Sequence, residues 1–391
     1  MKKIFITILA VLTTIPTLAE YTTKAKSVFL MDFDSQAEIV SKSADTLMPP
    51  SSMLKLMTLA VLFDEVKAGR LKLDDKLPVG KNADYQNPLW YPASKICLVA
   101  GQDVTVRDLI LGLIVLSGGD ASVVVAEYIG GNEDKFTEIM QAKARSIGMP
   151  ESTFGNASGL PNPNNLMTSR ELATLAYHII SDYPDLYPMF ATKRFEFGDY
   201  KTDWCRDWGR THTVNYNKLL FIMSGADGLK TGHTDKGGYG MVASARVGGR
   251  RLIGVINGFH GKGHDALAGE MKKLLNHGFN TTTTRVFYRP GDTVVDVPMW
   301  YGREETVPGT VRDTFAITTK KEDGLRGVRV LARFNDPVEA PIYSGFKVGE
   351  IIAEQNGDVI ARADLIAAKS VGRIQFLKRA LKNIAVMIMG R

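Results

Sequence analysis

Pro50-Ser51-Ser52-Met53-Leu54-Lys55-Leu56-Met57-Thr58 sets a serine three residues before a lysine at the head of an apolar run. The apolar residues Met53, Leu54, Leu56, Met57, Ala60 and Val61 follow Pro49 and Pro50 and predict a largely buried helix with Ser52 in its first turn. A side chain there meets the positive end of the helix dipole, which favours negative charge developing at an attacking oxygen or its oxyanion. Residues i and i+3 share a helix face, so Lys55 lies beside Ser52. Apolar neighbours disfavour the charged form of that lysine, and a neutral amine is able to take a proton from a hydroxyl. Such a four-residue pattern also arises by chance. Ser344-Gly345-Phe346-Lys347 repeats it between Pro341 and Gly349, in a turn-rich stretch with no helix to hold the pair on one face.

Two more elements follow in order. Ser117-Gly118-Gly119 ends the apolar run Leu109 to Leu116, which predicts a hydroxyl at a helix-to-loop junction; by itself an ordinary glycine-rich helix end would explain it. Lys230-Thr231-Gly232 precedes Gly237, Gly238, Gly240 and the apolar segment Met241 to Ala245, which predicts a strand pair bordering a cleft; alone, it reads as a surface turn. A serine one turn from a lysine, a second serine and a Lys-Thr-Gly are together the parts of an acyl-transfer site that works without histidine.

Around these motifs, and over nearly its whole length, the chain resembles the low-molecular-mass penicillin-binding proteins, the D-alanyl-D-alanine carboxypeptidases of peptidase family S11. The resemblance is carried by Ala25-Lys26-Ser27, by Pro50 to Thr58, by Thr153-Phe154-Gly155-Asn156-Ala157-Ser158-Gly159-Leu160-Pro161 and by Asp227-Gly228-Leu229-Lys230-Thr231-Gly232-His233-Thr234. It implies a β-lactamase/transpeptidase-like catalytic domain. It makes Ser52 the acylated nucleophile, Lys55 its general base and Ser117 a proton relay towards the leaving amine. Lys230 and Thr231 would hold the hydroxyl network and the terminal carboxylate of the substrate, with Gly232 and Gly119 as further substrate-binding positions, and the backbone N–H groups of Ser52 and His233 would form the oxyanion hole. Such donors act on charge that develops only in the transition state. The implied partners are peptidoglycan stem peptides ending in D-Ala-D-Ala and β-lactam antibiotics, with no cofactor.

Two departures qualify the resemblance. The family usually has Asn at the third position of the middle motif, where its amide contacts the substrate, and this chain has Gly119. Gly119→Asn is therefore expected to raise acylation by about one good hydrogen bond, roughly 0.5–1.5 kcal/mol. The family also uses a basic residue, commonly Arg, after the Lys-Thr-Gly strand to receive the carboxylate. Here that segment is Gly258-Phe259-His260-Gly261-Lys262-Gly263-His264, in which Lys262 or a protonated His264 is the candidate replacement, neither with arginine's bidentate fork.

With 391 residues, 45% of them hydrophobic and 23% charged, the chain has the composition of a globular protein of two domains. Lys2 and Lys3, an apolar core from Ile4 to about Ile15 and Thr17-Leu18-Ala19 form a secretory signal, residues 1–19, cleaved before Glu20. Export would place Cys97 and Cys205 in an oxidising compartment, yet nothing in their spacing demands a disulfide, and two buried free thiols are at least as much to be expected. No His and Cys cluster has metal-ligand spacing, none of the six histidines sits in a Ser-His-Asp pattern, and no phosphate loop or nucleic-acid motif is present.

A strand-like Ser27 to Asp32 precedes helical segments at Ser52 to Ala68, Val106 to Leu116, Ala121 to Ile129, Asn132 to Ile147 and Ser169 to Ile180; strands return at Met241 to Val247 and Arg251 to Asn257. This order predicts an α/β catalytic domain with a central sheet, residues 20–284. Near Thr281-Thr282-Thr283-Thr284 the composition changes to short β-type runs, and residues 285–365 read as a small all-β domain. Asn356-Gly357, between Ile351-Ile352 and Val359-Ile360, is a hairpin signal. Residues 366–391 read as an amphipathic helix with Ile374, Leu377, Leu381, Ile384, Ala385 and Ile388 on one stripe. Lys369, Arg373, Lys378, Arg379, Lys382 and Arg391 stand in this tail without an acid, so the basic character of a chain of formal charge +6 belongs to its end. Such a helix suits an anionic membrane surface rather than a span, and the expected location is periplasmic, peripherally attached to the outer face of the inner membrane.

Two other functions share parts of this pattern. A class A type β-lactamase needs a Glu that activates water for deacylation, for which Glu151 is the nearest candidate. A catalytically attenuated peptidoglycan-binding or scaffold protein would account for Gly119 and the missing arginine.

Overall fold

The computed structural model describes residues 21–90, 93–235, 237–334, 336–380 and 383. The expected export signal lies outside them. The strands β1 (Ser27–Asp32) and β2 (Glu38–Lys42) begin the catalytic domain; β3 (Lys76–Pro78) and β4 (Asp103–Thr105) form a small ribbon; β5 (Ala226–Thr234), β6 (Gly238–Val247) and β7 (Arg250–Phe259) complete its sheet. The main sheet is antiparallel in the order β2-β1-β7-β6-β5. Its two faces are both covered. On β1, Phe29 and Met31 point into a core with the helix α1 (Lys55–Lys67), while Val28 and Leu30 point into a second core with the long C-terminal helix of the domain.

Helix α1 is buried from Lys55 to Phe63 and hydrophobic nearly all round, as a helix in the middle of a domain must be. Around it pack α2 (Val106–Val115), α3 (Gly119–Gly130), α4 (Glu133–Ser146) and α5 (Ser169–Asp182). The hydroxyls of Thr105 and Thr168 and the amide oxygen of Asn132 accept N–H bonds from the first turns of α2, α5 and α4, each cap contributing about 1 kcal/mol. The short helices α6 (Asp203–Thr211) and α7 (Leu219–Ile222) lie on the way to β5, and α8 (Gly263–Thr281) covers the sheet's second face.

The second domain begins with β8 (Thr282–Tyr288), which pairs with β11 (Phe315–Lys320); β9 (Val295–Trp300), β10 (Thr306–Val311), β12 (Val328–Phe334), β13 (Val338–Glu339), β14 (Lys347–Gln355) and β15 (Asp358–Ala367) form a six-stranded sheet. Asn356 and Gly357 both have positive φ and close the β14–β15 hairpin between Gln355 and Asp358. The two domains meet at Asp32, which is fully buried and accepts bonds from Arg250 Nε at 2.7 Å and from the Thr284 hydroxyl at 2.6 Å.

The tail differs from the expectation of a helix from residue 366. β15 runs through Ala367, and Val371 and Arg373 bridge to Ile342 and Gly302, because the chain still completes the β domain's edge. Helical backbone starts at Phe376, where Phe376 and Leu377 are both exposed. Residues 381, 382 and 384–391, which carry most of the predicted stripe, lie outside the described residues. Among the described residues no helix is long and apolar enough to cross a membrane, and no group of His, Cys, Asp or Glu could hold a metal ion.

Candidate active site

Ser51–Leu54 form one turn of 3-10 helix that runs into α1 at Lys55, so the predicted helix starts with a tighter turn than expected. The i to i+3 relation still stacks the pair, and Lys55 Nζ lies 3.1 Å from Ser52 Oγ. The same amine donates to the Ser158 carbonyl, at the centre of the Thr153 to Pro161 segment. That segment is clasped to α1 through the Thr58 hydroxyl, which donates to the Ala157 carbonyl at 2.7 Å. Lys55 is only 3% exposed, and burial pulls its pKa down to about 7, with the negative charge of Asp120 opposing the shift. At neutral pH a large fraction of Lys55 is therefore an uncharged amine beside a hydroxyl.

Ser117 follows α2 and precedes α3, as the helix-to-loop reading expects. Its φ is +58°, and the turn around it is held by Gly118 N–H donating to the Gly112 carbonyl at 3.0 Å and Gly119 N–H donating to the Ser94 carbonyl at 2.8 Å. Gly119 is buried against Trp90: a Cβ on Gly119 would stand 2.5 Å from Trp90 Cζ3 and 3.3 Å from the Ser94 carbonyl oxygen. The expected gain from Gly119→Asn is corrected by this contact, because an indole already fills the place where the amide would begin.

Strand β5 is an edge of the sheet, so alternate backbone groups along it face the serine turn rather than another strand. Gly232 makes that approach possible: a Cβ there would lie 2.9 Å from the Pro50 carbonyl oxygen and 3.0 Å from Ser52 N. Lys230 is 1% exposed and donates to the Thr231 carbonyl at 2.9 Å; burial first, and then the charge of Lys55, hold it well below the usual lysine range. His233 is exposed on the cleft rim with its ring stacked on Tyr239 at 4.0 Å.

These elements surround a cleft of about 770 Å³. Ser52, Lys55, Ser117, Gly119, Thr231, Gly232 and His233 all line it, and Lys230 lies buried behind Thr231. Of the two candidate replacements for the arginine, His264 lines the cleft, but burial and then the charges of Lys230, His233 and Lys218 lower its pKa to about 4. The expectation of a protonated His264 is corrected accordingly. Lys262 is exposed at the start of α8 and is not part of the wall. Glu151 is also exposed and outside the cleft, its N–H held by Glu171, so it is not placed to activate water there.

Sequence reasoning missed four parts of the site. Trp90 carries no motif, Ser158 acts through its carbonyl, and Tyr216 joins the wall from a loop. The fourth is Asp120, directly after the middle motif, which could have been noticed as an acid in an otherwise apolar stretch. The open question of the cysteines is resolved by the structure: Cys97 and Cys205 form a disulfide with a Cα separation of 5.6 Å.

A hydroxyl beside a buried, deprotonatable lysine, a second hydroxyl on the facing turn and an edge strand with free backbone donors define a histidine-free serine acyl-transfer site. The chain belongs to the D-alanyl-D-alanine carboxypeptidase family, whose sequence model matches residues 14–260, and residues 283–373 match the penicillin-binding protein 5 C-terminal domain. It is thus a serine-type carboxypeptidase among the low-molecular-mass penicillin-binding proteins of cell-wall metabolism. The D-alanyl-D-alanine carboxypeptidase DacC of Escherichia coli is 32% identical over 92% of this chain and 89% of its own length. Penicillin-binding protein 5 of Haemophilus influenzae superposes with a TM-score of 0.79 at 30% identity, covering 91% of this chain and 100% of that structure. Penicillin-binding protein D2 of Listeria monocytogenes, solved in an ampicillin-bound form, superposes with a TM-score of 0.56 at 25% identity over 67% of this chain and 99% of its own.

Proposed function

We propose that the enzyme removes the terminal D-Ala from peptidoglycan pentapeptides through an acyl-enzyme on Ser52, and that penicillins acylate the same serine. The observation that carries this reading is the buried Lys55 amine 3.1 Å from Ser52 Oγ. Neutral Lys55 takes the hydroxyl proton as Oγ attacks the carbonyl of the penultimate D-Ala. The oxyanion is met by the N–H groups of Ser52 and His233, the C–N bond breaks, and Ser117 passes a proton to the departing amine of D-Ala. Water then attacks the ester, with the same groups handling the proton in reverse, and releases the shortened peptide. Lys230 and Thr231 receive the terminal carboxylate. Burial and the charge of Lys55 hold Lys230 below the usual lysine range, and an incoming carboxylate opposes them and favours its protonated form.

The enzyme works, on this reading, in the periplasm, attached to the outer face of the inner membrane by its basic tail and facing anionic headgroups. Incubation with a pentapeptide ending in D-Ala-D-Ala tests the activity: one equivalent of D-Ala released per peptide is expected, and no release would overturn the proposal.

A further inference from the structure

Asp120 is fully buried, and among the described residues it forms no ion pair. An isolated carboxylate in such a place is costly unless hydrogen bonds replace water. Four backbone N–H groups do so. Ala121, in its own helix, donates to Oδ1 at 2.9 Å, the usual use of an acid in a first helical turn. The other three come from a separate segment: Ile96 at 2.9 Å to Oδ1, and Cys97 at 2.8 Å and Leu98 at 3.1 Å to Oδ2. Asp120 therefore fastens one piece of chain to another rather than merely capping α3.

The fastened piece, Ser94 to Leu98, is a strap laid across the turn that presents Ser117. Its Ser94 carbonyl accepts from Gly119 N–H, and Ile96 Cγ2 sits 3.0 Å from where a Cβ on Gly118 would be. Lys95 Nζ donates to the Trp90 carbonyl at 2.8 Å, which ties the indole covering Gly119 to the same strap. On its outer side the strap is covalently joined to α6 by the Cys97–Cys205 bond, and the neighbouring Trp204 stacks on Tyr85 at 5.4 Å. Ser117 holds φ +58° without glycine's freedom, a conformation that persists only when its surroundings over-determine it. The strap supplies that determination.

We propose that Asp120 is a positioning residue for acylation: its carboxylate latches the strap Ser94 to Leu98 onto the Ser117 turn, and the Cys97–Cys205 disulfide keeps the strap seated. This rests on the acyl-enzyme reading of Ser52. Asp120 acts in a second way: in its ionised form, which burial disfavours and the four N–H bonds favour, its negative charge favours the protonated form of Lys55 and opposes the downward shift that burial imposes. Among the described residues Asp120 is the acid whose charge acts on Lys55, Lys230 on β5 is the cation coupled to that lysine, and the charge of Asp120 also reaches Lys95 in the strap.

The test compares wild type, Asp120→Asn and the double variant Cys97→Ser with Cys205→Ser, by the rate of labelling with a fluorescent penicillin per active molecule across pH. Wild-type labelling at Ser52 checks the underlying reading separately. For Asp120→Asn the amide group meets N–H donors with its own donor and has lost the charge. Acylation is expected to fall roughly 10- to 100-fold, the scale on which a displacement of about 1 Å acts, mainly in kcat rather than KM. The acid limb of its pH profile moves to lower pH. The cysteine variant is expected to lose rate in the same direction while its acid limb stays in place, since the charge is intact. A merely structural role would change the fraction of active protein but neither the rate per active molecule nor the limb. Wild-type rates and an unmoved limb in Asp120→Asn would overturn the proposal; should that variant not fold, an undiminished rate in the cysteine variant would do so.

Discussion

Ser52…Lys55 and Ser344…Lys347 have the same spacing and opposite surroundings. In the first, a 3-10 turn flowing into a buried helix sets amine and hydroxyl 3.1 Å apart, and burial draws the lysine down to about 7. In the second, Gly345 at φ +82° breaks any helix, and the Ser344 hydroxyl donates to the Ala368 carbonyl at 3.2 Å. Lys347 bridges Asp364 at 2.6 Å and Glu350 at 3.2 Å on the surface, and those carboxylates raise its pKa. The chemistry of the pattern therefore lies in register and desolvation, not in the letters.

The lysines break this comparison most sharply. Lys55→Met keeps the packing volume but removes the proton acceptor, and D-Ala release is expected to fall by about 10²- to 10⁴-fold. Lys347→Met should leave turnover within experimental error, and a comparable loss there would refute the distinction. The pH profile sharpens it further. Acylation needs Lys55 uncharged, so the rate rises through about pH 7 and falls towards tenfold per unit below it. A profile flat from pH 5 to 8 would mean Lys55 is not the base. The same shift has a stability consequence with a fixed sign. Between about pH 7 and the ordinary lysine value of 10.5 the unfolded chain binds a proton that the folded chain lacks, so the Lys55 contribution becomes more favourable as pH rises through that window.

A smaller effect is expected at the middle motif. Gly119→Asn drives a side chain into Trp90, destabilising by about 1–3 kcal/mol and lowering acylation. An Asn variant that melts and labels like wild type would show that Trp90 moves freely. The smallest change in turnover is predicted for truncation after Gln375, which spares the bridges at Val371 and Arg373. D-Ala release from a small peptide should be unchanged while association with anionic vesicles is lost. Vesicle binding that survives truncation would place the membrane contact elsewhere.

Much of the fold could be read locally because local physics decides it. Ser27 to Asp32 is apolar enough to be a buried strand, and Asn356-Gly357 has the two residues a tight hairpin turn requires. The site residues were legible as three short motifs, seven of whose eight chosen residues line one cleft. What was not legible depends on long separations. Asp120 finds donors 22 to 24 residues away, and Cys97 finds Cys205 across 108. The neutrality of His264 needs Lys230, His233 and Lys218 around it, and the late start of the tail helix needs the partners of Val371 and Arg373. Asp120 stands out only as an acid in an apolar stretch, and none of these pairings leaves a periodic or compositional trace of its partner.

The most direct test of the account is the site of covalent attachment. Wild type, Ser52→Ala and Ser344→Ala are incubated with a penicillin, digested and mapped by mass spectrometry. One adduct on the peptide containing Ser52 is predicted for wild type and Ser344→Ala, and none for Ser52→Ala. An adduct that persists in Ser52→Ala, or that maps to any other residue in the wild type, would contradict it.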